Sequence, residues 1–276
     1  MLPTSHAILV IKADLERLMI DTHVHIWSDD IQNYPWQQTL SHVPIPTESA
    51  TIEEFVLSME NAGVEGAVLV QPSTYGWDNN YLCDSIKKYP GKFAGICLVN
   101  PKNKNSADDL YYWCEKRGCS GLRINLVGFQ ETDFLLEAES KRLWDKIADI
   151  NAIVSFQMSP KHAQIINEIA KARPEITFIV DQVTAEVHRK PELGGFVKLL
   201  SERSNLFFKV NSVGQNSRQK YPFQDLWPFF KRVFDDFGPG RVLYGSDFPH
   251  TLKTCSYREA TAWISELPFI SADSIN

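Results

Sequence analysis

The chain has 276 residues, 43% of them hydrophobic, and its 28 basic and 34 acidic side chains leave a net charge of −6. That apolar content supports one large core and a single domain, while mild acidity without runs of like charge excludes a nucleic-acid or anionic-membrane footprint. A small-molecule substrate is the default expectation.

Ala7-Ile8-Leu9-Val10-Ile11 is apolar but too short for a signal peptide, no basic residue precedes it, and no later stretch approaches membrane-spanning length. Met19 directly precedes a strand-like run and can itself serve as a start, so residues 1–18 read as an extension packed weakly on a domain covering 19–276. From there, short runs rich in β-branched and aromatic residues alternate with amphipathic segments. Strands are expected at 20–23, 66–71, 93–99, 121–125, 153–157, 177–181, 206–210 and 242–245. Helices are expected at 51–62, 81–89, 107–117, 137–150, 160–173, 193–203, 223–237 and 257–266. Eight of each closes a single-domain α/β fold, the (β/α)8 TIM barrel.

Local punctuation agrees with these boundaries. Ser159-Pro160 supplies a cap and a first-turn proline, and Gly63, Gly118 and Gly238 stop helices. The segment 27–46, with Pro35, Pro44 and Pro46, is expected to be an ordered loop over the barrel mouth that covers the substrate. Trp113, Trp144, Trp227 and Trp263 fall on helices and are expected to pack against the barrel. Cys83, Cys97, Cys114, Cys119 and Cys255 are odd in number and lack a CxxC spacing, the usage of reduced core thiols in a cytoplasmic protein.

In such barrels functional side chains stand at the carboxyl ends of strands. Strand one ends in His23-Val24-His25, and residues two apart on a strand share a face, so both imidazoles can aim at one point. If the barrel closes, Asp247 of Tyr244-Gly245-Ser246-Asp247-Phe248-Pro249-His250 arrives beside them, and two imidazoles with a carboxylate suit a divalent ion that keeps open positions. The remaining strand ends offer Gln71, Ser73 and Tyr75; Arg123 and Asn125; Gln157; Asp181 and Gln182; and Lys209 and Asn211 with Arg218 in the next loop. For Arg123, binding a substrate carboxylate and pairing internally with Asp181 or Asp247 are both open, and Lys209 carries the same alternatives. His162, after Pro160, reads as a capping or solvated residue, whereas His6 and His42 carry no usable signal.

His23-Val24-His25 closing strand one, Gly-Leu-Arg-Ile-Asn on strand four and Gly-Ser-Asp-Phe-Pro on strand eight together resemble the amidohydrolase-related enzymes of the second amidohydrolase group. That group includes 2-pyrone-4,6-dicarboxylate lactonases, sugar lactonases and decarboxylases, and the likeness runs from Met19 nearly to the end. The resemblance implies a metal-dependent hydrolase that opens a small lactone or cyclic carboxylic ester. By it, His23 and His25 are metal ligands, Asp247 binds metal or takes a proton from the attacking water, and Arg123 binds a substrate carboxylate. Ser73, Gln157, Gln182, Lys209 and Arg218 complete the expected substrate-binding set. The implied cofactor is zinc or manganese, bound loosely or dispensed with where the aspartate acts alone as base. The expected partner is a carboxylate-bearing small molecule, with a homo-oligomer left open.

The chain departs from the group's pattern in three places. Gln182 stands after Asp181 where members carry histidine, and an amide cannot relay protons. His188 lies six positions downstream, well into the loop. This keeps a non-catalytic paralog as one alternative. Strand five offers Gln157 where the decarboxylase branch has a zinc-binding histidine, which favours hydrolysis over the decarboxylase alternative. The chain also stops at Ser274-Ile275-Asn276 where members continue, which implies a C-terminal truncation.

Overall fold

The computed structural model describes residues 19–37, 44–181 and 194–270. The expected extension at 1–18, His42, Gln182, His188 and the C-terminal Ser274-Ile275-Asn276 lie outside them. Eight parallel strands, β1 (Ile20–Val24), β2 (Gly66–Val70), β3 (Phe93–Leu98), β4 (Gly121–Asn125), β5 (Ile153–Gln157), β6 (Phe178–Asp181), β7 (Leu206–Val210) and β8 (Val242–Tyr244), pair in sequence order. Helices α1 (Ile52–Ala62), α2 (Asn80–Lys88), α3 (Ser106–Tyr111), α4 (Lys141–Asp149), α5 (Ala163–Ala172), α6 (Gly195–Ser201), α7 (Trp227–Phe237) and α8 (Tyr257–Ala262) follow the strands in turn. This is the (β/α)8 barrel expected from the alternation of patterns.

Helix boundaries follow from local chemistry. Thr51 caps α1 in a reciprocal box with Glu54, Ser256 does the same for α8 with Glu259, and Gly63 ends α1 at φ 73°. His162 is buried and acts as a cap, its Nδ1 accepting the Ser159 N–H at 3.0 Å. The helix expected at 107–117 ends as α3 and continues as a π-helical turn over Tyr112–Lys116. The one expected at 137–150 begins only at Lys141. Before it, the Ser140 hydroxyl donates to Phe134 O and the Trp144 indole to Leu135 O, bonds that hold this stretch in short turns. The helix expected from 223 starts at Trp227 because Phe223 takes a left-handed φ of 61°.

Alternation along the strands sets what lines the barrel. Arg123, Ser155, Asp181 and Lys209 converge inside, while their neighbours Leu122, Ile124, Val154, Phe156, Phe178, Val180 and Phe208 are buried apolar residues on the opposite face. Phe156 stacks on Phe178 at 5.7 Å, and Trp144 meets Phe178 edge-on. Trp263 is fully buried against Phe230. Among the described residues no helix is long and apolar enough to cross a membrane.

Closure between β8 and β1 decides the geometry of the mouth. The Asp247 N–H donates to His23 O at 2.9 Å, the His25 N–H to Phe248 O at 2.7 Å, and the Thr22 hydroxyl to Tyr244 O at 2.5 Å. Asp21 is fully buried at this seam, its carboxylate accepting the Ser246 and His23 N–H groups and the Tyr257 hydroxyl. Gly245 permits the approach, since a Cβ there would stand 2.4 Å from His23 Cβ and 3.0 Å from His23 N.

Two outcomes follow. Gly245→Ala forces the strands apart and is expected to destabilise the chain by roughly 1–3 kcal/mol or more in urea titrations; an unchanged midpoint would show that the seam can relax. Burial pushes the Asp21 carboxyl up from 3.8 to about 6, against its hydrogen bonds. The folded chain therefore holds this proton more tightly, and the group's stabilisation is full in acid and lost as pH rises through 6. Between about pH 4 and pH 7 the stability difference should move in favour of Asp21→Asn by up to about 3 kcal/mol. A pH-independent difference would show that Asp21 ionises normally.

Candidate functional site

Strand alternation puts His23 and His25 over the same end of the barrel, and the seam brings Asp247 to them. The two Nε2 atoms are 3.2 Å apart, and Asp247 Oδ1 lies 3.8 Å from His23 Nε2 and 3.6 Å from His25 Nε2. Donors about 2.1 Å from a tetrahedral zinc stand about 3.4 Å from one another, so this triangle has the size of one face of such a site. Among the described residues, His23, His25 and Asp247 are the group of histidine, cysteine and acidic side chains arranged to hold a metal ion.

Protonation agrees with that geometry. Burial, with Lys209, His25 and Arg123 nearby, holds His23 well below its usual pKa, and burial with Arg123 and His250 does the same for His25. Both rings are therefore neutral near pH 7. His25 Nδ1 lies 2.7 Å from Val70 O, so its proton sits there and its Nε2 carries the lone pair. That lone pair points at His23 Nε2. With a cation between the rings, His23 can also present a lone pair and place its own proton on Nδ1, towards Asp181 Oδ2 at 3.8 Å.

Asp247 divides its two oxygens. Oδ2 accepts the Ser212 hydroxyl at 2.6 Å and the Gln215 amide at 2.8 Å, leaving Oδ1 facing the histidines. Burial raises the carboxyl's pKa, opposed by His250, Ser212, Gln215 and Arg123. Asp247 and Ser212 both take left-handed backbone, at φ 63° and 56°, a conformation of some cost to non-glycine residues that is concentrated at functional sites.

Beneath this triad, Asp181 collects three partners. Ser155 Oγ donates to its Oδ2 at 2.7 Å, Arg123 Nε lies 3.5 Å from the same oxygen, and Lys209 Nζ lies 3.3 Å from Oδ1. The two cations share this carboxylate, and Asp247 above is a second negative charge acting on Arg123. Burial lowers both cations' pKa values, and Asp181 is the principal opposing influence.

A cavity of about 210 Å³ opens above, lined by His25, Trp27, Ser73, Arg123, Gln157, Gln215, Asp247 and His250, with Pro44 and Pro46 from the mouth loop. It is smaller than the roughly 300–1,000 Å³ of pockets for drug-sized ligands, which favours a compact one. The loop is tied down where described: Trp27 pairs with Ala50, Trp36 stacks on Tyr75 at 4.6 Å, and Gln37 N donates to Thr74 O.

The sequence candidates thus divide by position. His25, Asp247, Arg123, Ser73 and Gln157 line the cavity, and fully buried His23 stands directly behind it. Lys209 is buried beneath, paired with Asp181, and Arg123 combines its expected ion pair with a place on the cavity wall. Arg218 is exposed and does not line the cavity. Gln182 lies outside the described residues. Sequence reasoning missed Ser212 and Gln215, for which no local pattern announces a left-handed serine. It also passed over Asp21, although a carboxylate amid a strand's apolar residues signals a buried partner.

Comparison with known proteins places this geometry among relatives. A family model described as Amidohydrolase matches residues 20–272. The chain is 24% identical over 238 residues to a 4-sulfomuconolactone hydrolase of Hydrogenophaga intermedia, covering 84% of this chain and 74% of that one. It is 24% identical over 251 residues to a 2-pyrone-4,6-dicarboxylate hydrolase of Comamonas testosteroni, covering 84% and 76%. Among solved structures, a probable 2-pyrone-4,6-dicarboxylic acid hydrolase from Acinetobacter baumannii with citric acid bound aligns with TM-score 0.78 at 21% identity, over 94% of this chain and 95% of that one. An amidohydrolase from Burkholderia multivorans with bound zinc aligns with TM-score 0.74 at 15% identity, over 94% of each.

The donor triangle predicts about one zinc or manganese ion per chain by elemental analysis after equilibration and desalting. His25→Ala should lose it, and full stoichiometry in that variant would place the ion elsewhere.

Proposed function

The chain belongs to the amidohydrolase family, and from that premise we propose that it is a hydrolase opening a small, carboxylate-bearing lactone. One observation carries the reading: Asp247, with Oδ2 anchored and Oδ1 turned to the histidine pair, shares a compact cavity with the buried guanidinium of Arg123. Relatives named as hydrolases of a sulfonated muconolactone and of a pyrone dicarboxylate support it, as does the citric acid bound in a structural neighbour. Gln157 on the cavity wall, in place of a histidine, favours hydrolysis over decarboxylation.

His23, His25 and Asp247 fit a divalent ion, which when bound supplies Lewis-acid polarisation and a lowered pKa for water. Asp247 Oδ1 accepts the proton of the attacking water, a task suited to a carboxylate whose pKa burial has raised. Ser212 and Gln215 hold Oδ2 fixed, so the acceptor stays aimed while its charge changes. As the acyl–oxygen bond breaks, protonated Asp247 returns the proton to the departing ring oxygen, and water has been added across the ester. Arg123 binds the substrate's carboxylate, positioned from behind by Asp181, which Lys209 and Ser155 hold in turn. Ser73 and Gln157 offer hydrogen bonds from the facing wall.

On a panel of carboxylated lactones followed by acid release, Asp247→Asn should lower kcat by about 10²–10⁴-fold. Undiminished turnover would overturn the assignment. Arg123→Met should act mainly through KM, raising it about tenfold or more on carboxylated substrates, while an equal effect on an uncharged lactone would remove its carboxylate role.

A further inference from the structure

Away from the mouth, four of the five cysteines meet in the layer between sheet and helices. Cys83 lies on α2, Cys97 on β3, Cys114 in the π-helical turn after α3, and Cys119 just before β4. The Cys83 and Cys119 sulfurs are 3.6 Å apart, and both side chains are buried. Cys97 is buried in the same core cluster as this pair. Cys114 is only partly buried and packs against the same core. Cys119 Sγ stands 3.6 Å from where a Cβ on Gly95 would sit, so the strand glycine leaves room for the cluster. All of these thiols are free, and none lines the cavity.

Clustered thiols serve either a soft metal or redox chemistry. A zinc–thiolate cage sets sulfurs about 2.3 Å from the ion, and so about 3.8 Å from one another. Among the described residues no three of these sulfurs lie within 4.8 Å of one another, so they form no cage, and Cys83 with Cys119 is their close pair. Two buried thiol sulfurs already in contact are placed for disulfide formation. We propose that Cys83 and Cys119 are a modification site that forms an intramolecular disulfide when the chain meets a peroxide.

Cys119 is the nucleophile of the pair. The Cys83 thiol, 3.6 Å away, can donate to it, and with the neighbouring Cys97 thiol and the Arg117 guanidinium holds its pKa below the usual thiol range despite burial. Its thiolate attacks one peroxide oxygen, the O–O bond breaks, and the departing hydroxide takes up the proton that Cys119 lost. Cys119 is then a sulfenic acid. The Cys83 sulfur attacks that sulfur, and the sulfenic hydroxyl leaves with the Cys83 proton as water. Two thiols lose two electrons and one peroxide becomes two waters. The bond joins α2 to the start of β4 across β3, closing a loop that the unfolded chain must also carry, so the oxidised form resists unfolding.

The test treats the reduced full-length chain with hydrogen peroxide, alkylates remaining thiols, and reads intact mass and a non-reducing peptide map. The expected result is three alkyl groups on the oxidised chain against five on the reduced one, a mass about 2 Da lower before alkylation, a linked peptide pair containing Cys83 and Cys119, reversal by dithiothreitol, and a higher Tm for the oxidised form. Cys83→Ala should yield no such bond and accumulate oxygen on Cys119. The wild-type map decides the question even if that variant folds poorly. A bond from Cys97 to Cys114 or Cys119, or oxygen added with no bond at Cys83, would overturn the pairing.

Discussion

The meeting of the last strand with the first is the constraint on which the rest of this molecule depends. His23 and His25 lie more than two hundred residues from Asp247 in sequence, and only closure brings the three within an ion's reach. Closure in turn depends on a missing side chain at Gly245 and on the buried carboxylate of Asp21, which accepts donors from β1, from the segment after β8 and from α8. The same few bonds that complete the barrel therefore set the separations of the triad. A fault in the seam therefore acts directly on His23, His25 and Asp247.

A second constraint is electrostatic. The barrel floor buries Arg123 and Lys209, cations that would be costly there unpaired, and Asp181 meets both. One carboxylate thus serves two cations, and Asp247, which also acts on Arg123, brings a second negative charge when ionised. Neutral His23 and His25 add none. The two buried cations are therefore matched by two carboxylates, one on the floor and one at the mouth, and Arg123 and Asp247 share the cavity wall.

The fold was legible in the sequence because its signals are local. Strands 121–125, 153–157 and 206–210 coincide with β4, β5 and β7, since short β-branched runs between helical segments have one reading in a parallel barrel. The π-helical turn at Tyr112–Lys116 and the late start of α4 were not legible, because each is settled by tertiary bonds or by a backbone choice that no residue pattern announces. The site divides similarly. The spacing of His23 and His25 is a strand property and could be read directly, and the placement of Asp247 followed once closure was assumed. Ser212 and Gln215 become visible only when the loop after β7 is seen folding back onto the loop after β8.

That last contact also explains why two residues tolerate left-handed backbone. At φ 63° Asp247 leaves the extended backbone of β8 and sets its carboxylate against the histidines, with its N–H on His23 O. Ser212 makes the matching turn after β7 and delivers its hydroxyl to the far carboxylate oxygen. Each departure costs of order 1–2 kcal/mol on its own, yet the hydrogen bonds between them are available only when both occur. The two turns thus form one unit whose product is an aspartate with distinct oxygens, one held and one free to act. This asymmetry is what a carboxylate needs if it is to steady an ion or move a proton without losing its aim.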